Sequence, residues 1–75
     1  MSSRDRITLR RFGKALQIQR KRSGLTQEQL AELCEFDPTY ISLLERGMRN
    51  PSLIAIANLA KNLRCKVSNL VEGIG

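Results

Sequence analysis

The chain contains no histidine and no tryptophan, and its aromatic residues are Phe12, Phe36 and Tyr40 alone. Without imidazole it lacks the commonest general base and the usual nitrogen ligand for zinc, and Cys34 and Cys65 stand too far apart in sequence to make a zinc-ligand motif. A glycine-rich phosphate loop and an evident acid pair are also missing, so neither an enzyme nor a bound cofactor or metal is expected. The longest apolar run, Leu53 to Ala57, is far too short to cross a bilayer, and the basic start is not followed by the apolar segment of a secretory signal. A cytoplasmic location is expected, with both cysteines as reduced thiols.

The 75 residues suffice for one domain, and an apolar share of 41% suffices for one mainly aliphatic core. Acidic residues are scarce at one end. Residues 1 to 25 hold eight basic groups against the single Asp5, whereas the remainder holds five basic and six acidic groups, so the net charge of +6 is concentrated in the first third. A positive field with a location points to a polyanionic partner, nucleic acid ahead of an anionic membrane.

Residues 1 to 6, without an apolar anchor, read as a mobile basic arm, and residues 7 to 75 as the folded domain. A first helix is predicted from Ile7 or Leu9 to about Arg22, with Phe12, Leu16 and Gln19 or Arg20 on one side and Ser23-Gly24 ending it. Thr26 with Gln29 makes a capping box for a second helix, Gln27 to about Cys34, whose predicted buried side is Leu30, Ala31, Leu33 and Cys34. Asp37-Pro38 opens a third helix, and Gly47 closes it. After the loop Met48 to Pro51, Ser52 caps a fourth helix from Leu53 to Leu63, with Leu53, Ile56, Leu59, Ala60 and Leu63 as its stripe. A short last helix covers about Val67 to Val71. With only Glu35 and Phe36 between the second and third helices, the two are expected to cross steeply, in the manner of a helix-turn-helix unit.

The third helix has two unlike sides. At about 100° per residue, Ile41, Leu44, Glu45 and Met48 share one arc, and Thr39, Ser42, Leu43 and Arg46 share the opposite one. Short hydroxyl, methyl and guanidinium groups suit the floor of a DNA major groove, where acids would be repelled. Asp37 is the exception at this end and reads as a cap for its own helix.

RSGLTQEQLAE, DPTYISLLERG and RNPSL, with their mutual spacing, resemble the helix-turn-helix domain of Cro and phage-repressor type proteins, the XRE family. The resemblance runs from Arg20 to Gly73. It implies an all-α, compact five-helix, lambda-repressor-like DNA-binding domain with the third helix, about residues 38 to 46, in the major groove. It also implies base reading by Pro38, Thr39, Tyr40, Ser42 and Leu43, phosphate contacts from Thr26, Gln27, Arg46, Arg49 and Asn50, and a structural ion pair between Arg20 and Glu45. Tyr40 has packing on the domain edge as its other reading. Three positions depart from the family pattern: Glu35 and Arg64 stand where glycine is frequent, and Gln19 where an apolar residue is usual.

The expected function is a sequence-specific transcriptional regulator of double-stranded DNA, acting as a homodimer on an inverted repeat, of the phage-repressor or restriction-modification controller kind. Ile54, Val71 and Ile74 are candidates for a two-fold interface or for local core. The arm residues Arg4 and Arg6, with Arg10, Arg11 and Lys14, either follow the DNA or only solvate the surface. No membrane partner and no small-molecule ligand domain are expected, which leaves control to concentration, dimerisation and operator arrangement. The rival reading is a protein-binding module of antitoxin type, for which DNA binding is secondary or absent.

Overall fold

The computed structural model describes residues 2 to 74. Its helices are α1 (Ser3–Arg22), α2 (Gln27–Cys34), α3 (Pro38–Glu45), α4 (Leu53–Leu63) and α5 (Val67–Val71), followed by a 3₁₀ turn, Glu72–Ile74. Local chemistry sets most starts. Thr26 and Gln29 exchange side-chain and backbone hydrogen bonds at 3.0 and 2.9 Å, Asp37 accepts from the Thr39 amide at 2.8 Å, and Ser52 accepts from the Ala55 amide at 3.0 Å.

α1 begins earlier than its apolar pattern predicts. Ser2 accepts a hydrogen bond from the Asp5 amide at 3.1 Å, and Asp5 places an acid in the positive first turn, so residues 3 to 6 are helical where a mobile arm was expected. The signal was present as Ser-x-x-Asp, a capping pattern that an anchorless stretch of polar residues conceals. Met1 of that arm and the final Gly75 of the domain lie outside the described residues.

The ends of α1 to α4 share one device. At each, a residue with left-handed backbone is followed by an amide that reaches back five residues: Leu25 to Arg20, Phe36 to Ala31, Met48 to Leu43 and Cys65 to Ala60, at 2.8 to 3.2 Å. Gly24 and Gly47 supply two of the left-handed positions, at φ of 72° and 73°. Glu35 and Arg64 supply the others, at 59° and 55°, so these two departures from glycine are accepted with strain rather than avoided by a different turn. Leu25, Phe36 and Cys65 then fold back onto the core, which ties three of the four reversals to burial.

Leu16, Leu30, Ile41, Leu44, Leu59 and Leu70 are fully buried, and the buried core is aliphatic apart from Phe12 and Cys34. α1 runs through the middle, packing on α3, α5 and the 3₁₀ turn, while α2 packs on α3 and α4. Its rotation is set by Leu9, Phe12, Leu16 and Arg20, which leaves Ile18 exposed and makes Gln19 a flank position rather than a core one.

Three residues placed in the core by periodicity lie outside it. Leu33 is 52% exposed, because Leu30, Ala31 and Cys34 already define the buried arc of α2 and Leu33 falls about 110° from its centre. Leu53 is 74% exposed at the first position of α4, where the chain has not yet turned onto the core. Met48 is half exposed because Gly47 ends the helix before that arc is continued.

The crossing of α1 and α3 is closer than side chains allow. A Cβ on Gly13 would lie 2.5 Å from the Leu44 carbonyl oxygen and 2.6 Å from that of Glu45. Only a glycine permits this approach. None of the helices is long and apolar enough to cross a membrane among the described residues.

Candidate nucleic-acid interface

Because Ile41 and Leu44 are buried against α1 and α2, the opposite side of α3 is turned outward. Pro38 and Thr39 are exposed at its start, and Ser42 and Leu43 are partly exposed one turn further on. Arg46, exposed at the C-terminal cap, continues the same arc. Asp37 serves the Thr39 amide, which turns its carboxylate toward its own helix.

Tyr40 is placed differently from its neighbours. Its ring meets that of Phe36 edge to face, with centroids 5.1 Å apart, and both pack partly against the core. The aromatic pair thus braces the turn between α2 and α3.

Around α3 the flanking groups come from two places, the start of α2 and the loop after α3. Thr26 is exposed at the start of α2, where its hydroxyl already serves the Gln29 amide. Gln27 is half buried, and its side-chain amide donates to Glu45 Oε1 at 3.0 Å. Arg49 and Asn50 are exposed in the loop after α3, with Arg49 Nη1 donating to the Met48 carbonyl at 3.0 Å. Gln27 is the one flanking residue whose donor group is used internally by another candidate residue.

Glu45 holds the arrangement together. Arg20 Nε donates to its Oε2 at 2.5 Å and Arg20 Nη2 to its Oε1 at 3.0 Å, a forked pair, while Arg20 Nη1 donates to the Leu25 carbonyl at 2.8 Å. The two side chains retain only 10% and 2% of their accessible surface. The hydrogen bond to Glu45 raises the Arg20 pKa above its ordinary value and outweighs the opposing desolvation, so the guanidinium is firmly charged. One carboxylate therefore ties α1, the first turn of α2 and the end of α3. Among the described residues no buried polar side-chain atom lacks a partner, and no cluster of His, Cys, Asp or Glu suited to a metal is present.

Cys34 is buried and Cys65 partly so, both as free thiols, and burial pushes both thiols above their ordinary pKa. They belong to the core and have no part in the outward strip. Sequence reasoning gave no warning of Gly13, since its requirement comes from a helix distant in sequence.

A helix-turn-helix family model matches residues 16–70. The chain is 42% identical over 62 residues to the control protein C.BamHI of Bacillus amyloliquefaciens, covering 81% of this chain and 76% of that one. It is 40% identical over 59 residues to the competence pilus inhibition repressor of Acinetobacter baylyi, covering 79% of this chain but spanning only 54% of that protein. Among solved structures, the restriction-modification controller protein C.AhdI from Aeromonas hydrophila superposes with a TM-score of 0.80 at 42% identity, over 83% of this chain and 94% of the other.

Proposed function

Since the chain belongs to the XRE-type helix-turn-helix family, whose matched members here are controller proteins and transcriptional regulators, we propose that it reads one DNA sequence and controls transcription from it. The observation that carries this is the outward strip of Thr39, Ser42 and Leu43 on a helix whose other side is buried. Hydroxyls at Thr39 and Ser42 pair with several base edges, and the Leu43 methyls suit the thymine methyl. Pro38 offers no donor, so it contributes shape at the groove floor, and part of the discrimination rests on the geometry of the DNA. Tyr40 takes part at the edge of the strip, with its ring held by Phe36.

Thr26, Arg46, Arg49 and Asn50 stand beside the strip as phosphate ligands, with Gln27 fixed by Glu45 as a spacer that positions the first turn of α2. One such domain makes few base contacts, so a homodimer on an inverted repeat with half-sites about 34 Å apart completes the reading. Ile54, 80% exposed beside Leu53, is the apolar group available for the two-fold contact, whereas Val71 and Ile74 pack partly on the core. The cytoplasm is the compartment in which such a regulator meets its operator.

Fluorescence anisotropy against a duplex selected from a random pool, and against its scrambled version, tests the reading. Salt-sensitive binding that prefers the selected duplex is the expected result. No binding at low salt overturns it and favours a protein partner instead.

A further inference from the structure

The N-terminal end of α1 and the C-terminal end of α3 meet in one open cleft, lined by Arg6, Arg10, Arg46, Gly47 and Met48. Arg6 and Arg10 are one helical turn apart and so face the same way, and Arg46 adds a third guanidinium from another helix. Three exposed like charges lining one cleft repel one another only weakly through screening water, and an anion seated between them is attracted by all three. The protein supplies none: among the described residues the one salt bridge is Arg20 with Glu45, and Asp5, the acid nearest in sequence, lines a neighbouring recess with Thr8, Leu9 and Asn50.

Close packing of α1 on Gly47 fixes one wall of the cleft. Gly47 has no side chain, and a Cβ there would come within 2.9 Å of Arg10 Cγ and 3.1 Å of Arg10 Cα, so the stem of Arg10 passes over the glycine to reach the cleft. Helical structure from Ser3 onward, fastened by Ser2 and Asp5, places Arg6 one turn before it. Arg46 also lies on the arc of α3 that carries Thr39, Ser42 and Leu43, so the cleft is continuous with the outward strip.

We propose that Arg6, Arg10 and Arg46 form a clamp for the DNA sugar-phosphate backbone, and that the early start of α1 exists to bring the first two of them to it. The inference rests on the DNA reading above and adds a backbone anchor contributed by the first helix. Guanidinium forks match phosphate oxygens in pairs, whereas a clamp on the backbone carries no base information.

The test compares the parent chain with Arg6→Gln/Arg10→Gln, which keeps the aliphatic stem on Gly47, by anisotropy on the selected and scrambled duplexes across a salt series. On the proposed dimer, loss of two phosphate contacts from each protomer lowers the slope of log K against log salt by about 3.6, weakens both duplexes alike and leaves their ratio unchanged. Arg6→Lys/Arg10→Lys restores the slope, and Lys61→Gln/Lys66→Gln, which removes the same charge elsewhere, leaves it at the parent value. A parent-like slope in the Arg6→Gln/Arg10→Gln protein, or an equal fall in the Lys61→Gln/Lys66→Gln protein, overturns the clamp while the DNA reading stands. A parent chain that binds neither duplex overturns both.

Discussion

The two sides of α3 are eight residues of one helix under opposite demands. On the inner side, Ile41 and Leu44 have no accessible surface, the backbone touches α1 at Gly13, and Glu45 holds three helices with one carboxylate. On the outer side, Thr39 and Ser42 make no side-chain hydrogen bond within the described residues, and Pro38 and Thr39 are open to solvent. Residues that are expensive to change for folding are thus separate from residues whose side chains the fold leaves unused.

The largest break in that comparison is on the inner side. Glu45→Ala strands the buried Arg20 charge and frees Gln27, and a loss of about 3 to 5 kcal/mol is expected. For a domain of this size that is a fall in melting temperature of well over about 10 °C, readable by circular dichroism. An unchanged midpoint removes the ion pair from the stability of the fold. Next comes the outer side, where Thr39→Ala/Ser42→Ala is expected to leave the melting temperature within the effect of about 0.5 kcal/mol typical of surface changes. The same protein loses about 1 to 3 kcal/mol of discrimination for each base pair read by a removed hydroxyl, measured as the selected-to-scrambled affinity ratio. A large stability loss without a change in that ratio reverses the assignment of the two sides.

The smallest effect concerns the turn that joins α3 to α2. Glu35 holds a left-handed backbone at φ 59° where Gly24 and Gly47 hold theirs without a Cβ. Glu35→Gly is expected to stabilise by about 1 kcal/mol, the relief of left-handed strain less the extra chain entropy of glycine. Chemical denaturation reads this directly, and destabilisation shows that the Glu35 side chain contributes more than its backbone costs.

What the sequence revealed divides along the same line as the physics. Starts of α2, α3 and α4 follow from Thr26, Asp37 and Ser52, because a cap acts on amides two or three residues away. The outward strip is legible for a similar reason: helical period alone separates Thr39 and Ser42 from Ile41 and Leu44. Period fails at helix ends, where Leu53 and Met48 fall outside the core, and it cannot see that Gly13 must face the backbone of a helix thirty residues on. Nor does it see that Arg6 and Arg10 share a cleft with Arg46, since that requires knowing both where α1 begins and which helix it crosses.

Glu45 has a consequence for kinetics. With Arg20 and Gln27 both seated on that carboxylate, the first turn of α2 and the outward strip of α3 are held in a fixed relation before any partner arrives. Docking then asks for no rearrangement of these two helices, and the internal ordering that remains is that of exposed side chains such as Arg6, Arg10 and Arg46. Encounter with a polyanion is set by diffusion and by the long-range pull of the basic first third, and mutations of α3 that spare Glu45 act on residence time rather than on arrival.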